Sequence, residues 1–349
     1  MTARDGGMDM ATDLTTTGSS MPEQVLPEVQ EDAARVLILG GVASAPDAFS
    51  ASEPLAAQIA GQQLLAGALH TADVGAANWL MQAGAGLVAL AGMRDESKDA
   101  SALGLIGATA IGAGETESMA NRPFVRCING IRLGFVSFAE QRAGDGVFRA
   151  DALRLMAFDQ VRMLLNQCDH VIVLVRAGLD QAELPLPEWR ARYRRWVDVG
   201  ASAVVDTGST KGWEVYKNGL IFYGLGAPNG ADSLGLFLTL RRNSKLDYEA
   251  RALQCKAGLL DYSGNDAFKQ RIDAQNRLFT DEKAYLQQAD EMCRMLYCEQ
   301  EAAQKRGVLG LFSSHADEET KLLSLLENES LRLATRRGIR VKQAAEKQK

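Results

Sequence analysis

The sequence predicts an α/β fold in which helices cover either one mixed β-sheet or two packed β-sheets. Short apolar runs of strand length alternate with longer segments whose apolar residues recur at helical spacing. Two Asn-Gly pairs, Asn129-Gly130 and Asn218-Gly219, each separate two apolar runs. Because Asn and Gly tolerate the positive φ angles of a type I′ turn, each pair predicts an antiparallel hairpin. Helices that alternate with strands, together with hairpins, indicate mixed strand directions.

The first predicted strand is residues 35–39, because Arg-Val-Leu-Ile-Leu is an apolar run of strand length. It ends at Gly40-Gly41, a pair that is typical of a turn. Residues 54–69 and 72–83 are predicted to be helices, since their apolar side chains recur at helical spacing. Residues 87–90 form a second short apolar run and are predicted to be a buried strand.

The middle of the chain continues the alternation. A helix is predicted over residues 98–108, and the apolar runs on either side of Asn129-Gly130 are predicted to form the first hairpin. Residues 151–167 are predicted to be a helix with one buried face. The apolar side chains spaced for that face are Leu153, Met156, Val161 and Leu164.

The same logic repeats toward residue 255. Residues 171–175 and 203–205 are apolar runs that predict strands, and the helix predicted over 187–199 lies between them. The runs around Asn218-Gly219 predict the second hairpin. The last two apolar runs, which are predicted to pair antiparallel, are residues 234–241 and 248–255.

The composition changes at both ends of the chain and predicts three parts. Residues 1–33 are rich in Thr, Gly, Ser and Asp and are expected to be a disordered leader. Residues 34–264 form the predicted α/β domain. Residues 265–349 are rich in Gln, Glu, Lys, Arg, Ala and Leu and predict a helical extension. Two roles stay open for that extension: a cap on the surface of its own domain, or helices that bind a partner protein.

The composition also excludes some classes of function. A net charge of −6 leaves no excess of basic residues to neutralise phosphates, which argues against nucleic acid as a partner. No segment has the roughly 18 consecutive apolar residues of a transmembrane helix, and the first residues lack the apolar centre of a signal peptide. The scattered cysteines, with no CxxC pair, are typical of reduced thiols, so a cytoplasmic location is expected. They are Cys127, Cys168, Cys255, Cys293 and Cys298.

Several segments between residues 35 and 240 share their order and spacing with a known family. The run AGAGLVALA resembles the family stretch "AGFDVVSLANNH", NGIRLGFVSF resembles "G.KIGFLSF", and WEVYKNG followed by IFYGLG resembles "GIEIYNGKLIFYSLGNF". The matching residues are 83–91, 111–123, 129–138, 187–205 and 213–226. On these segments the sequence resembles the CapA family, the metallophosphatase-like proteins of capsule and poly-γ-glutamate synthesis.

The resemblance implies a layered α/β/β/α sandwich of the metallophosphatase type with a C-terminal helical extension. In that family a two-metal site lies at strand ends, where carboxylate, imidazole and amide ligands hold two ions that polarise a phosphoryl group. The resemblance therefore also gives the positions in this chain where the family's metal ligands would stand.

Those positions carry other residues in this chain. Glycine and alanine offer no ligand atom, and arginine repels a cation. The three histidines, His70, His170 and His315, lie outside these motifs. No metal, cofactor or catalytic residue of the family's kind is therefore expected. The substituted positions are Gly40-Gly41 for "GD", Gly92-Met93-Arg94 for "NNH", Arg176-Ala177-Gly178 for "HWG", Asp206–Thr210 for "GHHPH" and Ala227 for the Asn of "GNF".

The vacated positions suggest an anion site. A loop of glycines, hydroxyls and lysine can hold an anion through backbone N–H groups, and arginines at former ligand positions add positive charge for a phosphate or carboxylate. The alternative is structural: the loop is a polar turn, and each arginine pairs with Asp95, Asp180 or Asp206. The candidate ligand-binding residues are Gly40, Gly41, Arg94, Arg176, Asp180, Asp206, Ser209, Thr210 and Lys211.

Three functions follow from these observations. The first is a non-catalytic pseudo-metallophosphatase of capsule or exopolymer synthesis that binds an anionic polymer, a phosphorylated small molecule or a partner. The second is an active phosphoester hydrolase with a rearranged metal site, held by residues such as Asp180 and Asp206. The third is an interaction module that acts through the helices after Asn265.

Overall fold

The structure is a computed structural model that describes residues 32–44, 48–71, 73–93, 109–140, 148–230, 232–307 and 328–347. The predicted leader up to residue 31, the predicted helix over 98–108 and the candidate residue Arg94 lie outside the described residues. The domain boundaries after residues 33 and 264 stay predictions. No helix of the described part is long and apolar enough to cross a membrane.

The described residues form two large sheets, a two-stranded sheet and helices around them. The strands are β1 (Ala33–Val42), β2 (Ser50–Ala51), β3 (Leu64–Leu69), β4 (Ala85–Ala89), β5 (Thr109–Ile111), β6 (Ala113–Gly114), β7 (Phe124–Ile128), β8 (Ile131–Ala139), β9 (Phe148–Arg149), β10 (His170–Arg176), β11 (Ala203–Asp206), β12 (Trp213–Tyr216), β13 (Gly219–Phe222), β14 (Ser233–Arg241), β15 (Asp247–Lys256) and β16 (Leu259–Tyr262). The helices are α1 (Glu53–Ala60), α2 (Val74–Gln82), α3 (Glu117–Ala120), α4 (Met156–Leu165), α5 (Pro187–Asp198), α6 (Asp266–Leu278), α7 (Glu282–Gly307) and α8 (Glu329–Lys347).

Strand order explains how one chain builds both large sheets. The eight-stranded sheet has the order β2-β16-β15-β14-β1-β3-β4-β5, and the six-stranded sheet has the order β12-β13-β11-β10-β8-β7. β1 pairs parallel with β3 and antiparallel with β14. β8, β10, β11 and β13 are parallel neighbours, with antiparallel partners at both edges. Both sheets are mixed, as the combination of helices and hairpins predicted.

The sheets pack face to face with helices on both outer faces, which confirms the predicted α/β/β/α layers. In β1, Val36 and Ile38 belong to the core between the sheets, whereas Leu37 and Leu39 face α1 and α2 on the outside. A strand that is buried on both faces must be apolar at every position, because alternate side chains point to opposite faces. This is why the first strand appears as an unbroken apolar run.

The helices of the other outer layer, α4 and α5, cover the six-stranded sheet. Phe158 of α4 and Trp196 of α5 pack there with Phe138 and Val173. The rings of Phe138 and Trp196 are stacked, with centroids 5.8 Å apart. The layer therefore buries large aromatic side chains, each of which contributes strongly to the free energy of burial.

The prediction of one helix over residues 54–69 is wrong. The helix α1 ends at Ala60, and Leu64–Leu69 is the strand β3, buried along its whole length. A short apolar run fits a buried helix and a buried strand equally well, so spacing alone does not separate them. Parallel pairing of β3 with β1 on one side and β4 on the other decides in favour of the strand.

Both predicted hairpins form, and their turns differ. In the first, Ile128 pairs with Ile131, and Asn129 and Gly130 have φ angles of +49° and +75°. In the second, Tyr216 pairs with Gly219, so the loop is Lys217-Asn218 rather than Asn218-Gly219, and Lys217 has a φ of +52°. The predicted antiparallel pair of residues 234–241 and 248–255 is confirmed as β14 and β15.

The helices after Asn265 are attached to the sandwich by buried polar contacts. Arg190 of α5 is 2% exposed and donates to Glu214 at 2.9 Å, to Glu282 at 3.0 Å and to the carbonyl oxygen of Phe279 at 2.8 Å. The hydroxyl of Tyr285 donates to the carbonyl oxygen of Pro185 at 2.8 Å. A buried guanidinium with carboxylate and carbonyl partners holds the start of α7 against α5.

We expect Phe135→Ala to lower the free energy of unfolding by about 3–5 kcal/mol, because it leaves a cavity in the core between the sheets. Chemical denaturation measures the change. Val125→Ala on the neighbouring strand β7 is the control, since that side chain is 44% exposed, and it is expected to cost less than about 1 kcal/mol. Equal losses for the two variants would contradict the assignment of Phe135 to this core.

Candidate functional site

The candidate site lies where parallel strands of both sheets reach their carboxyl ends. Arg176 is the last residue of β10, Asp206 is the last residue of β11, and Gly41 lies near the end of β1. The two sheets meet here, because the N–H of Gly41 donates to the carbonyl oxygen of Thr207 at 2.9 Å. Ligand sites of α/β proteins commonly occur at this edge of a sheet.

Glycine is required where the backbones meet. A Cβ atom on Gly40 would lie 1.8 Å from the carbonyl oxygen of Gly226. A Cβ atom on Gly41 would lie 1.9 Å from Nε2 of His70. The pair Gly40-Gly41 is therefore a close-packing element of the strand β1, and not a turn that follows it, as the sequence had suggested.

Asp206 is a fixed, buried carboxylate that is only 2% exposed. Its Oδ2 accepts a hydrogen bond from the hydroxyl of Tyr193 at 2.5 Å, and its Oδ1 accepts one from the N–H of Gly208 at 2.7 Å. Burial raises the pKa of Asp206, while Lys211 and Arg176 act in the opposite direction. Both carboxylate oxygens are thus already engaged by donors of the protein.

Arg176 fills the space that side chains at positions 92 and 208 would need. A Cβ atom on Gly92 would lie 2.4 Å from the Cβ of Arg176, and one on Gly208 would lie 2.1 Å from its Nη1. The side chain is 10% exposed and forms an ion pair with Asp180. Its Nε is buried and has no hydrogen-bond partner within the described residues. A buried donor without a partner carries a desolvation cost that a bound acceptor would remove.

Lys211 is a buried cation next to Ser209. It is 3% exposed, and its Nζ donates to the Ser209 hydroxyl at 2.7 Å and to the Ser209 carbonyl oxygen at 3.3 Å. Burial lowers the pKa of Lys211 to about 8, with Arg176 acting in the same direction and Asp206 opposing it. An ammonium group with a pKa near neutrality changes its charge under physiological conditions.

Residues outside the loop from Asp206 to Gly212 also form hydrogen bonds that fix its position. The Ser209 hydroxyl donates to the carbonyl oxygen of Asp180 at 2.9 Å. Arg271 of α6 donates to the hydroxyl of Thr210 at 2.9 Å and to its carbonyl oxygen at 3.2 Å. A helix of the C-terminal part thus contributes to the position of this loop.

His70 is a residue of the site that the sequence analysis did not find. It follows the strand β3, and its Nε2 lies 3.2 Å from the hydroxyl of Thr207. The helix wrongly predicted over residues 54–69 placed His70 at a helix end rather than at the carboxyl end of a central strand. Had Leu64–Leu69 been assigned as a parallel strand, His70 would have been expected at this edge.

The other histidines are elsewhere. His170 begins β10, is buried, and joins the two sheets: its Nε2 lies 2.7 Å from the carbonyl oxygen of Arg241 and its Nδ1 lies 3.1 Å from the Ser202 hydroxyl. A carbonyl oxygen only accepts, so Nε2 carries the proton and Ser202 donates to Nδ1. His315 lies outside the described residues.

A small enclosed cavity lies beside Asp206 and Lys211. It measures about 10 Å³, which is room for about one water molecule. Its polar lining groups come from Tyr193, Asp206, Lys211 and Tyr223, and its other walls come from the segment between β10 and α5.

The residues at the edge do not fit a two-metal centre. Among the described residues, no group of three or more His, Cys, Asp and Glu side chains is arranged to hold a metal ion. The aliphatic part of Arg176 fills the space beside Gly92 and its guanidinium fills the space beside Gly208, where this positive charge repels cations. Both oxygens of Asp206 already accept hydrogen bonds from protein donors. The local chemistry therefore suits an anion better than a cation.

The structure brings eight of the nine candidate residues into one region. Arg176 contacts Asp180 and adjoins Gly208, Asp180 accepts from Ser209, Ser209 contacts Lys211, and Gly41 contacts the loop after Asp206. Gly40 and Thr210 lie against the same segments, whereas Arg94 lies outside the described residues. Whether these residues bind a ligand stays a prediction.

Comparison with known proteins gives one family and several distant structures. Residues 90–227 match the family model of the bacterial capsule synthesis protein PGA_cap, which confirms the resemblance to the CapA family over this segment. The layered sheets agree with the metallophosphatase-like α/β fold that the resemblance implied. The segment includes Arg176, Asp206 and Lys211. No curated protein shows significant sequence similarity to this chain.

Two solved structures are also similar. A hypothetical protein from Thermus thermophilus has 17% sequence identity and a TM-score of 0.42, with 62% of this chain and 99% of that chain covered. Vps29 of Chaetomium thermophilum has 11% identity and a TM-score of 0.28, with 64% of this chain and 91% of that chain covered. Similarity at these values supports no inference about function.

The lowered pKa of Lys211 makes a prediction about stability and pH. The folded state holds this proton less tightly than the unfolded state, so the free energy of unfolding rises as pH rises from about 8 toward 10.5. Between about pH 7 and pH 9.5 we expect the wild type to gain about 2 kcal/mol relative to Lys211→Met. Chemical denaturation across this range measures the difference.

The control for that experiment is Lys283→Met, which removes an exposed lysine from α7. Its stability relative to the wild type is expected to stay constant over the same pH range, because an exposed lysine loses little hydration on folding. A flat difference for Lys211→Met as well would mean that Lys211 is solvated and that its ammonium is not enclosed.

Proposed function

We propose that this protein acts in capsule or exopolymer synthesis of the poly-γ-glutamate type as a pseudo-metallophosphatase that binds an anionic ligand. The match of residues 90–227 to the capsule synthesis family supports the process. The single observation that carries the ligand class is the buried guanidinium of Arg176, whose Nε lacks a partner within the described residues. It stands at a position where the family places a metal ligand.

The charges around the site favour an anion. Arg176, Lys211 and Arg271 supply three cationic groups, and Asp180 and Asp206 supply two carboxylates. Of these carboxylates, Asp206 is closed off by hydrogen bonds to Tyr193 and Gly208. In a partly buried site, such charges act at lower effective dielectric than in water, so a carboxylate or a phosphate gains more from them. An acidic polymer and a phosphorylated small molecule both carry this chemistry.

A rearranged metal site is the weaker alternative. It would use Asp180 and Asp206, but Asp180 is paired with Arg176 and each oxygen of Asp206 already accepts a hydrogen bond from the protein. Recruiting either carboxylate would break an ion pair or strip a buried group of its partners, and both changes cost several kcal/mol. We therefore propose a cytoplasmic protein that works without a bound metal. Binding of a partner protein by the C-terminal helices is a separate expectation.

Arg176→Gln is expected to weaken anion binding by about 10- to 100-fold, because it removes a charge-assisted donor from a buried site. The probes are inorganic phosphate and a short poly-γ-glutamate oligomer, and titration calorimetry at constant ionic strength measures both. Arg162→Gln removes an exposed arginine from α4 and is the matched control, with unchanged affinity expected. Equal affinities for the two variants would remove Arg176 from the site.

Metal loading separates the proposal from the hydrolase alternative. We expect that the protein, after exposure to manganese, zinc or iron and removal of excess ion, retains far less than one metal per chain. We also expect no metal-dependent turnover of bis(p-nitrophenyl) phosphate. Near-stoichiometric metal, with turnover that disappears in Asp206→Ala, would replace the pseudo-metallophosphatase with an active hydrolase.

A further inference from the structure

Ser209 and Lys211 form a pair that anion binding does not require. The Nζ of Lys211 lies 2.7 Å from the Ser209 hydroxyl oxygen, and the lysine is 3% exposed while the serine is partly exposed. We propose that Ser209 is a nucleophile and Lys211 its general base, and that the site transfers acyl groups without a metal. The inference rests on the proposed function for the location of its anionic substrate.

The placement of the two side chains fits these roles. A nucleophile must reach a substrate, and Ser209 lies on an accessible loop at the sheet edge. A lysine base must be shielded from water so that its neutral form is populated, and Lys211 is enclosed beneath that loop. Hydrogen-bond distance between nucleophile and base is the geometric condition for proton transfer, and Nζ and Oγ are 2.7 Å apart. In the ammonium form Nζ donates to Oγ and the Ser209 hydroxyl donates to the carbonyl oxygen of Asp180, so the hydroxyl turns from Asp180 to the neutral amine before it reacts.

The surroundings of Lys211 lower the cost of its neutral form. Burial lowers its pKa to about 8, so a sizeable fraction is uncharged slightly above neutral pH. Arg176 and Arg271 act in the same direction, whereas Asp206 and Asp180 favour the ammonium form. Tyr193 and Tyr223 line the same cavity. The base strength of Lys211 is thus set by groups from β10, β11, α6 and the segment that follows β10.

Arg176 supplies the third component of the site. Its Nη1 lies against Gly208, the residue before Ser209, and its Nε has no partner within the described residues. A fixed guanidinium next to a nucleophile can hold a carboxylate of the substrate or stabilise the negative oxygen that develops when an acyl carbon is attacked. The substrate class is therefore an ester or amide whose acyl group carries a carboxylate.

The chemical step balances without a further reagent. The Ser209 hydroxyl gives its proton to the neutral amine of Lys211 as Oγ bonds to the carbonyl carbon. The bond from that carbon to the leaving oxygen or nitrogen breaks, and the leaving group takes the proton from the Lys211 ammonium. Water then attacks the carbonyl carbon of the acyl-serine and gives one proton to Lys211. As the bond from that carbon to Oγ breaks, the Lys211 ammonium returns this proton to Oγ, which releases the carboxylic acid and restores the Ser209 hydroxyl and the neutral amine.

A structural role is the competing explanation for Lys211. In that case the ammonium only offsets the buried charge of Asp206, and Ser209 is an ordinary loop hydroxyl that binds Asp180. The two explanations differ in one observable property, the reactivity of the Ser209 oxygen toward an acyl donor. Stability measurements on Lys211 variants do not separate them, whereas covalent modification of Ser209 does.

The test uses the full chain in EDTA with mono-p-nitrophenyl glutarate, an activated ester with a free carboxylate. We expect a burst of p-nitrophenol and a glutaryl adduct on Ser209 by peptide mass spectrometry. The acylation rate should rise with pH through about 8. Ser209→Ala should lose the adduct, and Lys211→Arg, which keeps the charge but not the base, should acylate at least 100-fold more slowly. Ser244→Ala, an exposed serine on the β14–β15 turn, is the matched control and should react like the wild type.

The outcomes distinguish this inference from the proposed function. Phosphate binding by the wild type is measured beside its acylation; binding without any acylation would overturn the inference and leave the anion site standing. An adduct that survives in Ser209→Ala, or wild-type acylation in Lys211→Arg, would also overturn it.

If Lys211→Arg does not fold, Lys211→Met replaces it. A loss of acylation of at least 100-fold in folded Lys211→Met supports Lys211 as the base, and acylation at the wild-type rate refutes it.

Discussion

The close approach of the two sheets at their carboxyl ends governs the rest of this molecule. The N–H of Gly41 bonds to the carbonyl oxygen of Thr207, and neither Gly40 nor Gly41 has room for a Cβ atom. A side chain at position 40 would collide with the backbone of Gly226, and one at position 41 would displace the imidazole of His70. The contact between the two sheets therefore depends on glycine at position 40.

The charged side chains at this edge bind to groups of the protein itself. Asp206 is satisfied by Tyr193 and Gly208, and Arg176 pairs with Asp180. The Nε of Arg176 has no hydrogen-bond partner among the described residues, and the ammonium of Lys211 donates to Ser209. The hydrogen bonds of the cationic groups are therefore incomplete. Buried cationic groups without full partners lower the stability of the fold unless a ligand or a reaction uses them. This edge of the sheets is therefore where a functional site is expected.

The helices after Asn265 are part of the same arrangement. Arg271 of α6 holds the backbone and hydroxyl of Thr210, and Phe268 and Ile272 of the same helix join the core between the sheets. Ser330 at the start of α8 donates to Glu140 just after β8 and accepts from Trp189 at 2.7 Å. The extension thus packs against the segments that form the site, as the interpretation of a cap on its own domain requires.

Local sequence patterns were enough to predict the alternation of strands and helices, both hairpins and the resemblance to the capsule family. These are local properties: apolar runs, glycine turns and residue types at known spacing report on a few neighbours in the chain. Tertiary contacts were needed to place the strand Leu64–Leu69, His70, and the pair formed by Ser209 and Lys211. A central parallel strand is defined by its neighbours in the sheet, and the pKa of Lys211 depends on groups from β10, β11 and α6 that no spacing in the sequence reveals.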